Sequence, residues 1–311
     1  MANTKRLIKQ KRTVRIAGVT AWRWAALLVW GAMAALSMPA QAEQQGGMAF
    51  PAAARPDSIP PTARKAPTAP AQDSAIAAAW GAIATDPTLV PEYQKIIAVY
   101  KSRKLPEQEH TVATAMMAAN AGNPIAWYTY ADVMLDNSEP DTAIFWLQRA
   151  LIAEPQFVRA HTLIAEAWGM IDSTSQALAH LDTAIALNPR FAQARLQRAN
   201  LLSKLRQYGQ AAEDLESLVD LIPEDAGNWM RLGNTHAKAG NHAAAAEAFR
   251  TAVAMHPAMP DPLFRFAEES VAAGNSEEGM HAYEKFMLTF PTDSRALEAE
   301  RRARAMGGGR P

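Results

Sequence analysis

Five prolines recur through the second half of this 311-residue chain at one unbroken spacing, a period of about 34 residues. A period of this length is typical of stacked repeat arrays, in which each repeat is one small unit that packs only against its neighbours. The spacing constrains the fold more than composition does, because it sets the size of the unit that must stack. The five residues are Pro155, Pro189, Pro223, Pro257 and Pro291.

Other positions recur in the same phase. A small residue precedes each of these prolines by twelve positions, and a large apolar residue follows the small one after four more. A further apolar residue comes three positions later, so the spacing of i, i+4 and i+7 places all three on one face of a helix. The small residue indicates close packing of that helix against its neighbour. It is Ala143, Ala177, Ala211, Ala245 or Gly279.

A second helix precedes this one in each repeat. Residues 239–241 have the sequence Ala-Gly-Asn, and the same three residues recur at 273–275. Glycine and asparagine tolerate the left-handed backbone conformation that ends one helix and turns the chain into the next. Each repeat is therefore predicted to be two antiparallel helices.

The series Trp229, Leu232, Gly233, Phe249 and Pro257 resembles the tetratricopeptide repeat, a unit of about 34 residues. The resemblance implies an all-α fold, a right-handed α-solenoid of antiparallel helix pairs closed by a C-terminal capping helix. His161 and Arg195 stand where this family has tryptophan. We expect these two departures to weaken their helices without disturbing the phase.

The phase also predicts the organisation of the chain. Residues 73–123 form a half repeat followed by a degenerate repeat, in which Glu109 replaces the small residue, and residues 124–291 form five repeats. Residues 292–311 supply the capping helix, predicted over 294–306 with Asp293 as its N-cap, and a disordered tail from 307.

Residues 1–42 have the pattern of a secretory signal peptide. They contain seven basic residues and no acidic residue, then an apolar stretch over 24–38 and a small-x-small cleavage sequence that ends at Ala42. The alternative is an uncleaved membrane anchor over 16–38. Either reading places the repeats in the periplasm, free or anchored to the inner membrane. The proline-rich and alanine-rich residues 43–72 are predicted to be a disordered linker.

Charge and motifs exclude several functions. The chain has 31 basic and 31 acidic residues, and since seven basic ones lie within 1–42, the remainder has a net charge of −7. Such a protein is a poor nucleic-acid binder. There is no cysteine, none of the seven histidines belongs to an HExxH motif, and no GxSxG or phosphate-binding loop occurs. We therefore expect no cofactor, no metal site and no enzymatic activity.

The resemblance implies a concave groove, lined by the first helix of every repeat, that binds a peptide or protein partner. Early repeats contribute Asp132, Asp136 and Glu166, and later ones contribute lysine and arginine, so we expect the groove to be acidic at one end and basic at the other. The predicted groove residues are Tyr128, Asp132, Thr162, Glu166, Gln197, Asn200, Lys204, Arg231, Asn234, Lys238, Phe264 and Arg265.

Asn200 and Asn234 match an asparagine that recurs in the grooves of this family. The lysine that accompanies it in a carboxylate clamp is absent here, because Thr162, Leu196 and Met230 hold its position. The asparagines either contact a ligand or hydrogen-bond between neighbouring repeats.

These observations predict a non-catalytic scaffold of the bacterial cell envelope that helps to assemble a secretion, pilus, polysaccharide-export or cytochrome-maturation machine. The alternative is an accessory or regulatory subunit of a periplasmic enzyme. A hydrolase activity in the degenerate repeat is a third hypothesis. Self-association through Trp80, Tyr93 and Trp146 is possible if they are uncovered, although large aromatic residues at helical spacing usually pack in the core.

Overall fold

The structure is a computed structural model that describes residues 74–307, and all regular structure within that range is α-helical. The predicted signal peptide, the linker and residues 308–311 lie outside the described residues. Within 74–307 no helix combines the length and the apolar character needed to cross a membrane. The helices are α1 (Ser74–Thr85), α2 (Val90–Ser102), α3 (Pro106–Ala119), α4 (Pro124–Asp136), α5 (Pro140–Ala153), α6 (Val158–Met170), α7 (Thr174–Leu187), α8 (Ala192–Lys204), α9 (Tyr208–Leu221), α10 (Ala226–Lys238), α11 (His242–Met255), α12 (Pro260–Ala272), α13 (Ser276–Thr289) and α14 (Ala296–Ala305).

Consecutive helices pack against each other along the whole series, and the first helices of several successive repeats also touch. We call the first helix of a repeat A and the second B. Repeats 1 to 6 are then the pairs α2–α3, α4–α5, α6–α7, α8–α9, α10–α11 and α12–α13, preceded by the single B-type helix α1 and followed by α14. The predicted all-α solenoid of helix pairs with a capping helix is confirmed.

The periodic prolines end the B helices. Proline disfavours the helical conformation of the residue before it, and the residues that precede these prolines do leave the helix. Glu154, for example, has φ −130° and ψ 83°, and its N–H still bonds to the carbonyl of Ala150. Asn188 behaves in the same way after α7. The proline period therefore sets where every second helix stops.

The turn between the A and B helices takes one left-handed residue in every repeat. Gly240 and Gly274 have φ +80° and +89°, as the sequence predicted, while Asn241 has an ordinary negative φ. Four earlier repeats place a residue with a side chain at the same point, where this conformation is strained. They are Lys104, Ser138, Asp172 and Arg206.

The small residues of the B helices are buried where the A and B helices approach closely. A Cβ atom built on Gly279 would overlap Cγ2 of Val271 in the paired helix α12. Gly233 has a similar role in helix α10, because its Cβ would lie 2.8 Å from the ring of Phe249. The four alanines at the small position are fully buried.

In repeats 2 to 5 the position of the family tryptophan has a common hydrogen bond rather than a common residue. Trp229 donates its ring N–H to the carbonyl of Pro223, six residues earlier, at 2.9 Å. His161 and Arg195 do the same to Pro155 and Pro189, at 3.1 and 2.9 Å. Both residues therefore reproduce the tryptophan hydrogen bond, and the expectation that they weaken their helices stays a prediction.

Each of these residues also meets the side chain 19 positions later, in its own B helix. His161 Nδ1 lies 3.1 Å from His180 Nδ1, and Arg195 Nη1 lies 3.2 Å from Asp214 Oδ1. In repeat 2 the equivalent pair is Trp127 with Trp146, with ring centroids 6.4 Å apart. At this position the two helices of a repeat are therefore joined by a tryptophan pair in repeat 2, a histidine pair in repeat 3 and an arginine–aspartate ion pair in repeat 4.

The three aromatic residues considered for self-association are in the core. Trp80, Tyr93 and Trp146 are all buried, and Trp80 packs edge-on against Tyr93. Burial is the alternative that large aromatic residues at helical spacing favoured. These residues therefore present little surface to another copy of the chain.

The capping helix differs from its predicted bounds. Helix α14 begins at Ala296, two residues later than expected, and its N-cap is Arg295. Asp293 Oδ1 accepts hydrogen bonds from the backbone N–H and Nε of Arg295, at 2.9 and 3.0 Å, so it stabilises the turn before the helix. Asp293 is not the N-cap, because its side-chain oxygen bonds to Arg295 and not to the first N–H groups of the helix.

Candidate partner-binding surface

The A helices lie side by side, and polar contacts join one to the next. Gln94 donates to Thr129 at 2.7 Å, Gln197 donates to Glu166 at 3.2 Å, and Arg302 Nη1 donates to Glu268 Oε1 at 2.8 Å. Because these partners are 31 to 35 residues apart, each contact crosses from one A helix to the next or, for Arg302, from the last A helix to the capping helix. We call the outward face of the A helices the A-helix surface.

One row of side chains runs along this surface at the same spacing as the prolines. The first two members are acidic, the next two are asparagines, and the last two are one acidic and one basic residue. They are Asp132, Glu166, Asn200, Asn234, Glu268 and Arg302.

The asparagines of this row are available to a partner. Asn200 is exposed and Asn234 is partly exposed. Within residues 74–307 neither side chain makes a hydrogen bond, so the contact between neighbouring repeats that was one of the two hypotheses is absent there. The other hypothesis, contact with a ligand, stays a prediction.

A second row lies one helical turn earlier in each A helix, and it is more buried than the sequence suggested. Tyr128 is half-buried against Phe157, with ring centroids 5.1 Å apart. Thr162 is only 1% exposed and donates its hydroxyl to the carbonyl of Val158 at 3.1 Å. Thr162 is therefore a core residue and not a groove residue, because its hydroxyl is satisfied within α6.

Phe264 is also enclosed rather than open. It is 6% exposed and packs against Tyr283 and Phe286, with ring centroids 5.6 and 5.2 Å away. The guanidinium groups of Arg295 and Arg302 lie 5.0 and 5.6 Å from its ring centroid. Phe264 is therefore a core residue beside the capping helix and not an open groove residue.

The acidic end of the surface is organised around a lysine. Lys101 Nζ lies 3.2 Å from Asp132 Oδ2 and 2.5 Å from Asp136 Oδ2. Glu166 lies in the next A helix. We call Asp132, Asp136 and Glu166 the acidic cluster; it contains more carboxylates than Lys101 can neutralise.

Glu109, in the first turn of α3, is a buried acid on which the charges of Asp136 and Lys101 act. It is 4% exposed, and its Oε1 has no hydrogen-bond partner among the described residues. Burial and the negative charge of Asp136 raise the pKa of Glu109 to about 7, with Lys101 opposing the shift. The pKa of Glu166 is also raised, by burial and then by Asp132 and Asp136. At this end of the surface, Lys101 therefore compensates only part of the negative charge of the carboxylates.

The basic part of the surface has free charges. Lys204, Arg231 and Lys238 are exposed, and none of them has an ion pair within residues 74–307. Arg265 is different, because its Nη1 is 3.2 Å from Glu268 Oε2. The described surface thus has an acidic group in repeats 1 to 3 and unpaired cations in repeats 4 and 5.

Sequence reasoning did not identify Lys101 and Glu109 as part of the acidic end. The sequence does show Glu109 as an exception, because it occupies the small position that later repeats give to alanine or glycine. Lys101 had none, because the residues at its phase in later repeats are not charged. Its role follows only from the packing of α2 against α4.

An open cavity of about 470 Å³ lies beside Met230, between the start of α10 and the turn that leads into α12. Its lining includes His256 and Met259, and Met259 is half exposed. The arrangement offers a mixed apolar and acidic recess next to the unpaired cations. No set of three or more acidic or histidine side chains within 74–307 has a geometry that could hold a metal ion.

Comparison with known proteins supports the fold assignment. The sequence profile described as tetratricopeptide repeat matches residues 196–260, which cover most of repeats 4 and 5. No curated protein matches the chain.

Solved structures of repeat proteins superpose on much of the chain at low sequence identity. YrrB, described as a tetratricopeptide repeat protein with an unusual peptide-binding site, has 18% identity and a TM-score of 0.52 over 61% of this chain and 97% of its own. PilW, described as a widely conserved type IV pilus biogenesis factor, has 18% identity and a TM-score of 0.52 over 67% and 96%. The C-terminal part of a repeat protein from Cytophaga hutchinsonii has 12% identity and a TM-score of 0.56 over 67% and 84%.

Proposed function

We propose that this chain, whose residues 196–260 match the tetratricopeptide repeat profile, is a non-catalytic scaffold that binds a peptide or protein partner on its A-helix surface. Proteins of this family typically bind other proteins and do not catalyse reactions. The observation that carries the proposal is the set of unpaired polar groups on repeats 4 and 5. Arg231, Lys238 and Asn234 are solvent-accessible there and have no partner within 74–307.

Unpaired cations on a rigid helical surface suit a partner with carboxylate groups. Arginine can bind a carboxylate through two parallel hydrogen bonds, and such charge-assisted bonds are shorter and stronger than neutral ones. A rigid array also loses little conformational freedom on binding, which favours affinity. The description of YrrB as having a peptide-binding site supports the same use of this fold.

The cellular setting is part of the proposal. The N-terminal pattern of basic residues, apolar stretch and cleavage sequence supports export to the periplasm, either free or anchored to the inner membrane. There the scaffold would serve the assembly of a secretion, pilus, polysaccharide-export or cytochrome-maturation machine. The similarity of fold to PilW is compatible with a pilus role, although fold alone does not choose among machines.

A photo-crosslinking residue placed at Asn234 of the full chain in cells tests the site. We expect covalent capture of a partner at Asn234 and no capture at Glu213, an exposed residue on the B helix α9. Arg231→Glu combined with Lys238→Glu should abolish the capture while circular dichroism stays unchanged. Equal capture at Glu213, or capture that survives the double substitution, would show that the A-helix surface is not the binding site.

The identity of the captured protein separates the two functional hypotheses. Several envelope-machine components support an assembly scaffold, whereas one enzyme in stoichiometric amount supports an accessory subunit. A reporter fused after Pro311 tests the location, and activity of a reporter that works only in the cytoplasm would refute export.

A further inference from the structure

Helix α5 of repeat 2 carries three unusual side chains on the face opposite its buried Ala143 and Leu147. Phe145, Arg149 and Ile152 follow one another at i, i+4 and i+7, so they lie on one side of the helix. Phe145 is half-buried, Arg149 is exposed, and Ile152 is 71% exposed. We call these three residues the α5 patch.

The later repeats do not reproduce this combination. Repeat 6 comes nearest, because it has Lys285 and Leu288 at the positions of Arg149 and Ile152, but it has a histidine where α5 has Phe145. The residues of repeats 3 to 6 at the position of Phe145 are Ala179, Glu213, Glu247 and His281. Since the later repeats fold with small or polar residues there, the architecture of the repeat does not require the α5 patch.

The guanidinium group of Arg149 lies against aromatic rings. Its Cζ is 5.6 Å from each of the ring centroids of Trp127, Phe145 and Trp146. A cation at this distance is attracted by the negative face of an aromatic ring, so the long side chain is held in one place. Within 74–307 no acidic side chain pairs with Arg149. Its N–H groups therefore have no carboxylate to bind in this part of the chain.

Arg250 in α11 shows the contrasting arrangement. Its guanidinium group is also near an aromatic ring, 5.2 Å from the centroid of Phe266. Glu247 and Glu278, however, bind its nitrogens at 2.9 and 2.6 Å. The two arginines thus have similar aromatic support, and they differ in that Arg250 is already neutralised by two carboxylates.

We propose that the α5 patch is a second interaction surface, which binds a protein segment carrying a carboxylate beside a large apolar side chain. The unpaired charge of Arg149 selects the carboxylate, to which arginine can donate two parallel hydrogen bonds. The apolar side chain packs on Phe145 and Ile152. Aromatic residues and arginine are enriched at protein interfaces, and an arginine that is already positioned loses little conformational freedom on binding.

The α5 patch is separate from the A-helix surface, because it lies on a B helix and on the face opposite the one packed in the repeat. A chain with both surfaces can bind two components at the same time. The inference does not rest on the proposed function, since it needs none of the groups of repeats 4 and 5.

Fluorescence anisotropy of a labelled helical peptide made of leucine, glutamate and alanine tests the patch. The full chain carries Arg231→Glu and Lys238→Glu in every measurement, so that the cations of the A-helix surface do not bind the probe. Arg149→Glu should weaken binding by ~10-fold, because repulsion replaces the charge-assisted hydrogen bonds. Arg250→Glu makes the same change of charge on α11 and should have less than ~2-fold effect.

Ile152→Ser tests the apolar part of the patch. It should weaken binding by ~5-fold, because apolar contact area with the probe is lost. Leu288→Ser is the matched control, since Leu288 has the equivalent position in α13 and is 77% exposed, and it should leave the affinity unchanged. Both side chains lie in solvent, so neither change disturbs the core, and circular dichroism checks that the variants are folded.

A probe with lysine in place of glutamate should not bind the patch. The proposal is overturned if the glutamate probe does not bind, if the two probes bind equally, or if Arg149→Glu and Arg250→Glu have equal effects. Sedimentation with phosphatidylglycerol vesicles examines the other surface that an arginine beside apolar residues could contact. Vesicle binding that depends on Arg149, without binding of the glutamate probe, would make the patch a membrane contact and the proposal wrong.

The two proposals can fail separately. Capture of a partner at Asn234 reports on the A-helix surface alone, and loss of that capture leaves the α5 patch standing. Failure of the glutamate probe ends the α5 patch and leaves the scaffold function of the A-helix surface as it was.

Discussion

Repeats 3 and 4 are built differently from repeats 5 and 6, although all four share one backbone pattern. At the tryptophan position and its partner in the B helix, the middle repeats pair His161 with His180 and Arg195 with Asp214. In repeat 5 the equivalent residue is Trp229, which packs with a cluster of leucine and alanine side chains. The middle repeats thus use polar pairs where the later ones use apolar packing.

The core of repeat 3 is also built from smaller residues than the cores of the last repeats. The cluster between α6 and α8 consists mainly of alanine, with Leu181 as its largest fully buried member. The last repeats bury Phe249, Tyr283 and Phe286. Large side chains contribute more burial per residue, so the later repeats rely more on the hydrophobic effect.

The difference shows which side chains this position accepts. In repeats 2 to 5 it holds a donor that reaches the carbonyl six residues earlier, and tryptophan, histidine and arginine all serve. Repeat 6 has the buried Leu263 there, which has no donor. Three substitutions and one change of pH test this difference between the repeats.

Asp214→Ala should destabilise repeat 4 most. Asp214 is 1% exposed and accepts two bonds of 2.7 Å from Arg198 and one of 3.2 Å from Arg195. Removing it leaves two half-buried guanidinium groups without their common partner, at a cost of ~3 kcal/mol in a urea unfolding experiment.

The matched control for this change is Asp182→Asn. Asp182 also binds Arg198, at 2.6 Å, but its side chain is 60% exposed, so the loss should be below ~1 kcal/mol. Similar losses in the two variants would mean that the polar pair of repeat 4 does not replace the missing tryptophan.

Gly233→Ala should damage the apolar repeat 5. The added methyl group would lie 2.8 Å from the ring of Phe249, which is fully buried and would have to shift within the core. Overpacking of this kind costs ~1–3 kcal/mol. Gly81→Ala in α1 is the control, since nothing lies within 4 Å of its added Cβ, and it should not lower the unfolding midpoint.

Acid should weaken repeat 3 selectively. His161 donates from Nε2 to Pro155, so its Nδ1 accepts from Nδ1–H of His180. Burial, and then the charge of His161, lower the pKa of His180, so the unfolded chain binds protons more readily than the folded one. The stabilisation is complete above the unfolded pKa of about 6.5 and is lost as the pH falls below it.

The expected loss is about 1 kcal/mol between neutral pH and the acid side of that range, the usual contribution of one hydrogen bond. Urea unfolding at several pH values measures it. His180→Phe should flatten this dependence, while substitution of the exposed His281 by glutamine should leave it unchanged. An unchanged slope in His180→Phe would contradict the assignment.

Arg206→Gly should stabilise repeat 4 by ~0.5–1 kcal/mol. Arg206 has φ +60°, a conformation that costs a residue with a side chain more than it costs glycine, and repeat 5 has Gly240 there. The reciprocal change Gly240→Arg should lower the thermal unfolding midpoint by a similar free energy. A loss of stability in Arg206→Gly would show that its side chain contributes more than the turn costs.

The sequence predicted much of this architecture because the relevant forces are local and periodic. Proline ends a helix wherever it stands, and the spacing of Ala211 and Leu215 places both on one buried face whatever surrounds them. The start of α14 was less predictable, since Arg295 takes the side-chain oxygens of Asp293 that would otherwise cap the helix. The repeat period does not show whether Arg295 or the N–H groups of the helix will bind the carboxylate of Asp293.

For the candidate surface too, some features could be predicted from the sequence and others could not. The exposure of Asn200, Lys204 and Lys238 follows from the phase of the A helices, and so does the acidic character of the first repeats. The burial of Thr162 and Phe264 does not, because it depends on a hydroxyl bonding back into α6 and on a capping helix that lies over the last repeat.

The repeat pattern is enough to predict the unit, its length, its two helices and the order of charges along the array, because all of these recur along the chain. Helix packing was needed to show that His161 and Arg195 serve in place of tryptophan and that the charges of Lys101 and Glu109 act at the acidic end. Those roles depend on distances between residues far apart in the chain, and such distances are set by packing between helices.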